Sequence, residues 1–139
     1  MRYLQFSPDL PKYLTQDCKL AAARRARLRL GCSGLNESRA RRRLTPTADC
    51  PDCKGAIEDA DHVATVCPRW AAARHECNME LSVHGLVLNA ELLMGGTEPD
   101  DGENEAKAPR PDPAVRRAAL KATERFLLKI SRIGPTRRQ

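Results

Sequence analysis

Three cysteines and one histidine, Cys50, Cys53, His62 and Cys67, follow one another as C-x2-C-x8-H-x4-C. Thiolate sulfur and imidazole nitrogen are the donors that a structural zinc ion takes four of, in a tetrahedron. The two-residue gap sets the sulfurs of Cys50 and Cys53 on one side of a tight turn. Pro51 stiffens that turn, and Gly55 can take the positive φ such a turn often needs. The spacing predicts His62 near the start of a short helix and Cys67 at its end, about a turn and a half later, so that both face one ion. Four protein ligands leave no position for a reactive water, so the expected centre is structural and not hydrolytic.

Two other chemistries use the same residue types. A redox dithiol at Cys50 and Cys53 would call for a βαβ setting, which the surrounding sequence lacks, and would leave His62 and Cys67 as coincidence. Disulfides would call for an oxidising compartment. The opening residues Met1-Arg-Tyr-Leu-Gln-Phe-Ser-Pro8 have no long apolar core of the signal-peptide kind. The expectation is therefore an intracellular protein, nuclear or cytoplasmic and not secreted, in which thiols favour metal. Of six cysteines, Cys18, Cys32 and Cys77 fall outside the ligand set.

His75-Glu-Cys-Asn-Met79 resembles the start of a metalloprotease helix, but Met79 stands where the second histidine must be. The acidic run Asp100 to Glu105 has the wrong spacing for a calcium loop. His75 and His84 read as surface or partly packed side chains. With no nucleophile–base pair and no open metal position, the chain is not expected to be an enzyme, nor to take a small-molecule substrate.

The elements that must position the four ligands come from a chain of 139 residues, of which 41 % are hydrophobic but only 4 % aromatic. So thin a supply of bulky apolar groups calls for a staple, and the zinc ion would be one. No apolar run approaches membrane-spanning length. The expected fold is mainly α: a small zinc-stapled helical domain, a disordered acidic linker and a C-terminal amphipathic basic helix. The boundaries are 1–16 for an irregular N-terminal segment, 17–94 for the zinc domain with its motif at 50–67, 95–112 for the linker, 113–133 for the helix and 134–139 for a basic tail.

Within the domain, good helix formers over 17–30, with Gly31 just past the end, predict a first helix whose inner face carries Leu20, Ala23, Arg27 and Leu30. A second, over 36–44, would turn Leu35, Ala40 and Leu44 inward. After Pro68, Trp70, Ala73, Cys77 and Leu81 recur on one helical face, with Trp70 expected over the zinc motif and Gly85 as the stop. Asn89 caps a short helix closed by Gly95-Gly96. Asp112-Pro113 starts the last helix, whose stripe of Val115, Ala119, Ala122, Phe126, Ile130 and Ile133 must be covered by the domain or by a partner. Its other side carries Arg116, Arg117, Lys121, Glu124, Lys129 and Arg132.

The net charge of +6 suits a polyanion. The first two helices carry Arg24, Arg25, Arg27, Arg29, Arg41, Arg42 and Arg43, which read either as a solvated surface or as a set of contacts to the phosphates of RNA or DNA, sequence-independent and weakened by salt. The motif is neither a retroviral knuckle, since no aromatic lies inside it to stack on a base, nor a C2H2 finger, since the second histidine is missing.

The run Arg27-Leu-Arg-Leu-Gly-Cys-Ser-Gly-Leu-Asn36, then Cys50-Pro-Asp-Cys53, Glu58-Asp-Ala-Asp-His62 and Cys67-Pro-Arg-Trp70, resembles the zinc-binding C-terminal region of reverse transcriptases from non-LTR retrotransposons. The clear likeness covers about residues 24–75, with Cys32 where that family commonly has histidine. The resemblance implies a CCHC zinc module with Cys50, Cys53, His62 and Cys67 as ligands. It further implies a detached tail of a transposable-element polyprotein, whose polymerase, RNase H and endonuclease residues are absent here. Such a tail would bind zinc and nucleic acid without catalysis of its own. The alternative is a zinc-stabilised module that packs on a protein partner through Trp70 and the Val115 to Ile133 stripe.

Overall fold

The computed structural model describes residues 17–95 and 112–133; the expected irregular segment, most of the expected linker and the basic tail lie outside them. The described chain is mainly helical. Helix α1 spans Lys19–Leu30, α2 Asn36–Arg41, α3 Ala60–Thr65, α4 Ala71–Ser82, α5 Ala90–Leu93 and α6 Pro113–Lys129. Short 3-10 turns at Pro68–Trp70 and Ser131–Ile133 lead into α4 and out of α6. Among the described residues the β structure amounts to an isolated antiparallel bridge, Asp49 to Ile57, at the neck of the cysteine turn.

Helix α6 is the beam of the fold. Asp112 caps it by accepting from the Ala114 amide at 2.9 Å, with Pro113 in the first position, as the sequence predicts. Ala119, Ala122, Phe126, Ile130 and Ile133 are buried, joined by Leu120, Thr123 and Leu127. The stripe from Ala119 onward lies against α4, α5 and α1 of the same chain, so it is covered in cis. From α4 come Cys77 and Leu81, with Trp70 and Ala73 partly buried at its start, and α3 adds Val63 and Ala64. Asn89 caps α5 through the Leu92 amide at 2.8 Å.

Three expectations are overturned. Helix α1 turns Ala21, Ala22, Arg25 and Leu28 inward, while Leu20 and Leu30 are about half exposed, at 49 % and 58 %. The inward face is centred on Arg25, whose guanidinium is taken up by carbonyls far along the chain, so nothing within the helix marks it as the inner one. Helix α2 stops at Arg41, three residues short, and Leu44 is exposed. There the chain turns through Arg43 at φ 58°, and the Leu44 amide bonds back to the Arg39 carbonyl. On α6 and the turn after it, Glu124 and Arg132 are half-buried and tied to other segments. Glu124 accepts from the Cys18 amide at 3.0 Å, and Arg132 grips the buried Glu58.

The end of α1 shows why Gly31 stands where it does. At φ 68° it lets its own amide reach the Leu28 carbonyl and the Cys32 amide reach that of Arg27, satisfying two orphan acceptors. A Cβ there would lie 3.1 Å from the Arg41 guanidinium.

Candidate metal centre

The cysteine turn is closed by its backbone. Cys50 donates to the Ala56 carbonyl at 2.7 Å, Glu58 to Ala48 at 2.9 Å and Lys54 to Cys50 at 3.1 Å. To fold back over so few residues the chain passes through positive φ twice, at Lys54 (40°) and Gly55 (111°). The predicted role of Gly55 is met, and Lys54 takes the same sense of turn without glycine's freedom.

The second pair of ligands comes from α3. Asp59 caps this helix by accepting from the His62 amide at 2.8 Å. The amides of Val66 and Cys67 both return to the His62 carbonyl, winding the last turn so that Cys67 swings back over His62. Arg74 of α4 then locks that turn, donating to the carbonyls of Val63, Ala64 and Cys67 at 3.1, 3.0 and 2.7 Å. Cationic donors at a helix C-terminus satisfy its orphan carbonyls and oppose its dipole.

The four side chains converge. One ligand atom from each of Cys50, Cys53, His62 and Cys67 lies within 4.8 Å of all the others. The Cys67 sulfur is 3.9 Å from those of both Cys50 and Cys53. Thiolates bound tetrahedrally at about 2.3 Å from one ion would stand about 3.8 Å apart, so the spacing fits. Cys50, Cys67 and His62 are buried and Cys53 half-buried. The buried Nε2 of His62 has no hydrogen-bond partner among the described residues. A buried nitrogen left this way costs about 1–3 kcal/mol, which coordination would relieve. Loss of water, with the Cys50 and Cys67 sulfurs alongside, pushes the Cys53 thiol up to about 12. All six cysteines are free thiols. The group is a Cys3His cluster able to hold a metal ion.

The arginines expected on phosphates are placed differently from one another. Arg25 is fully buried: it pairs with Asp17 and donates to the carbonyls of Leu92, Leu93 and Leu120 at 3.2, 3.1 and 2.7 Å. It belongs to the core and cannot reach a phosphate. Arg24 donates to the carbonyls of Leu127 and Leu128 at the end of α6, and Arg29 to that of Met94 after α5. Arg42 holds the Ser33 and Ser38 carbonyls from an exposed position, and Arg41 forms an i,i+4 pair with Glu37. Arg43 is exposed and Arg27 half-buried. Trp70 follows the last ligand by three residues and is half-buried against the core, with Arg69 over its ring at 5.0 Å.

Sequence reasoning missed Glu58 and Arg132. Glu58 carries nothing to mark it as buried within the acidic run before His62, and its cation lies 74 residues away. Comparison with known proteins returned no matching family model, no matching curated protein and no matching solved structure. No helix among the described residues is long and apolar enough to cross a membrane.

Proposed function

We propose that this chain is a structural zinc module, in which one Zn2+ held by Cys50, Cys53, His62 and Cys67 ties the cysteine turn to α3. The observation that carries the reading is the convergence of three sulfurs and one unpartnered imidazole nitrogen within 4.8 Å. Soft thiolates with imidazole in a closed set of four favour zinc over the oxygen-seeking ions. The likeness to the zinc-binding tail of non-LTR retrotransposon reverse transcriptases supports the same assignment and an origin in such a polyprotein. No catalysis is assigned to the chain itself.

The proposal extends to nucleic acid. The net charge of +6 and the exposed run Arg41, Arg42 and Arg43 support phosphate contacts without base reading. The test has two stages. Metal analysis of the purified chain should return one zinc per molecule, and cobalt substitution should give thiolate charge-transfer bands. Cys53→Ser should weaken metal retention at least tenfold. RNA or DNA binding should then fall linearly in log–log form with salt, by roughly 0.7–0.9 per phosphate neutralised. Charge reversal at Arg41 and Arg43 should weaken it while leaving the folded state intact. A metal-free, soluble, folded product would overturn the zinc assignment, and salt-independent or undetectable binding the nucleic-acid one.

A second reading, packing on a protein partner, is favoured by Met79, Val83 and Val87, all well exposed on and after the end of α4. It predicts no salt-dependent nucleic-acid binding.

A further inference from the structure

Glu58 is 1 % exposed, and its position joins three parts of the molecule. Its main chain belongs to the cysteine turn: the amide bonds to Ala48 beside the Asp49–Ile57 bridge. It also directly precedes Asp59, the cap of the helix that carries His62. Its carboxylate accepts from the Asn36 amide at the start of α2 at 2.8 Å, and its carbonyl from the Glu37 amide at 3.1 Å. The remaining capacity goes to Arg132, which lies in the 3-10 turn after α6. Arg132 Nε donates to Oε2 at 2.8 Å and Nη2 to Oε1 at 2.7 Å, a two-pronged pair. The same Nη2 reaches the Asn36 side-chain oxygen at 3.2 Å, while the Asn36 amide group donates to the Asp49 carbonyl at 2.7 Å. Ile130 and Ile133, on either side of Arg132, are fully buried.

Glu58 thus stands in the segment between Cys53 and His62, and its carboxylate is fixed by the start of α2 and by the turn after α6. We infer that Glu58 and Arg132 link the metal centre to the anchoring of the chain's C-terminal turn. The ion holds the cysteine turn and α3 in the arrangement that presents Glu58, and Glu58 in turn holds Arg132, Ile130 and Ile133 in place. In the opposite direction, a docked Arg132 holds the ligand-bearing segments ready for the ion. The inference rests on the metal-binding reading above. Linkage requires that the factor by which docking tightens metal binding equal the factor by which metal tightens docking.

The test uses the whole chain, with Zn2+ and Co2+ as probes. Amide hydrogen exchange is followed with the metal bound and after chelation. Chelation should speed exchange over Leu127 to Ile133 by about tenfold or more, within the usual range of such couplings, while amides in the middle of α4 change little. Arg132→Met should open the same segment with zinc in place and lower zinc affinity by a similar factor. Arg132→Lys keeps the charge without the fork and should recover part of both, which guards against a variant that simply fails to fold. Unchanged exchange over 127–133 after the cobalt bands have vanished would overturn the linkage. So would wild-type zinc affinity in Arg132→Met, or equal loss of protection in every helix. Failure to take up any metal would instead overturn the metal centre itself.

Discussion

Arg25 has no contact with water, and three backbone carbonyls and the Asp17 carboxylate replace it. Burial pushes the Asp17 carboxyl above its ordinary value, and the hydrogen bond from Arg25 opposes that shift. Removing the guanidinium would strand a buried carboxylate and leave the ends of α5 and part of α6 without donors. Arg25→Met is expected to destabilise the fold by about 3–5 kcal/mol, read from urea midpoints. Charge reversal at Arg25 would abolish nucleic-acid binding for the wrong reason, so the exposed Arg43 is the informative site for that question. Arg24, Arg29, Arg42 and Arg74 likewise reach for carbonyls. A run of arginines in a sequence says that cations are present, but not whether phosphates or helix ends will receive them.

At the scale of elements, local signals were reliable where a backbone group demanded a particular residue. The caps at Asn89 and Asp112, the proline opening α6 and the glycine closing α1 could all be read in advance, because each answers a need within four residues. The four ligands belong to the same category, since their spacing encodes a turn and a helix. What could not be read was long-range: the inward face of α1 depends on carbonyls about 70 to 95 residues away. The cysteine turn offers a paired test of local strain. Lys54 at φ 40° and Gly55 at φ 111° share one bend, and open space surrounds a Cβ built on Gly55. Gly55→Ala should therefore cost about 1–2 kcal/mol through backbone strain alone, and Lys54→Gly should gain up to about 1 kcal/mol. Thermal denaturation of the metal-loaded protein would register both.

Across the whole molecule, the ion and the proton compete for the same sulfurs. In metal-free protein the Cys53 thiol is held near 12, mainly by loss of water, and burial holds that of Cys77 near 11, against an ordinary 9.0. Both folded values are raised. The folded state is thus unpenalised below about pH 9 and loses stability as pH climbs toward 11 and 12, where unfolded thiols have already ionised. Metal-free protein should be less stable at about pH 10 than at about pH 7, by denaturant midpoint. Metal binding reverses the sense, because thiolate ligands must shed protons: metal retention should weaken as pH falls, in a competition assay.

The arginine clamps on helix ends have a consequence for how the protein comes apart. Free guanidinium offers those carbonyls the same planar fork that Arg24, Arg25, Arg29, Arg42 and Arg74 supply, and its chloride screens the Arg132–Glu58 pair. Urea offers neither charge nor screening. An ordinary domain needs about twice as much urea as guanidinium chloride to reach its midpoint; here the ratio should rise well above two. A solvent that imitates the side chains would dissolve the bonds those side chains make.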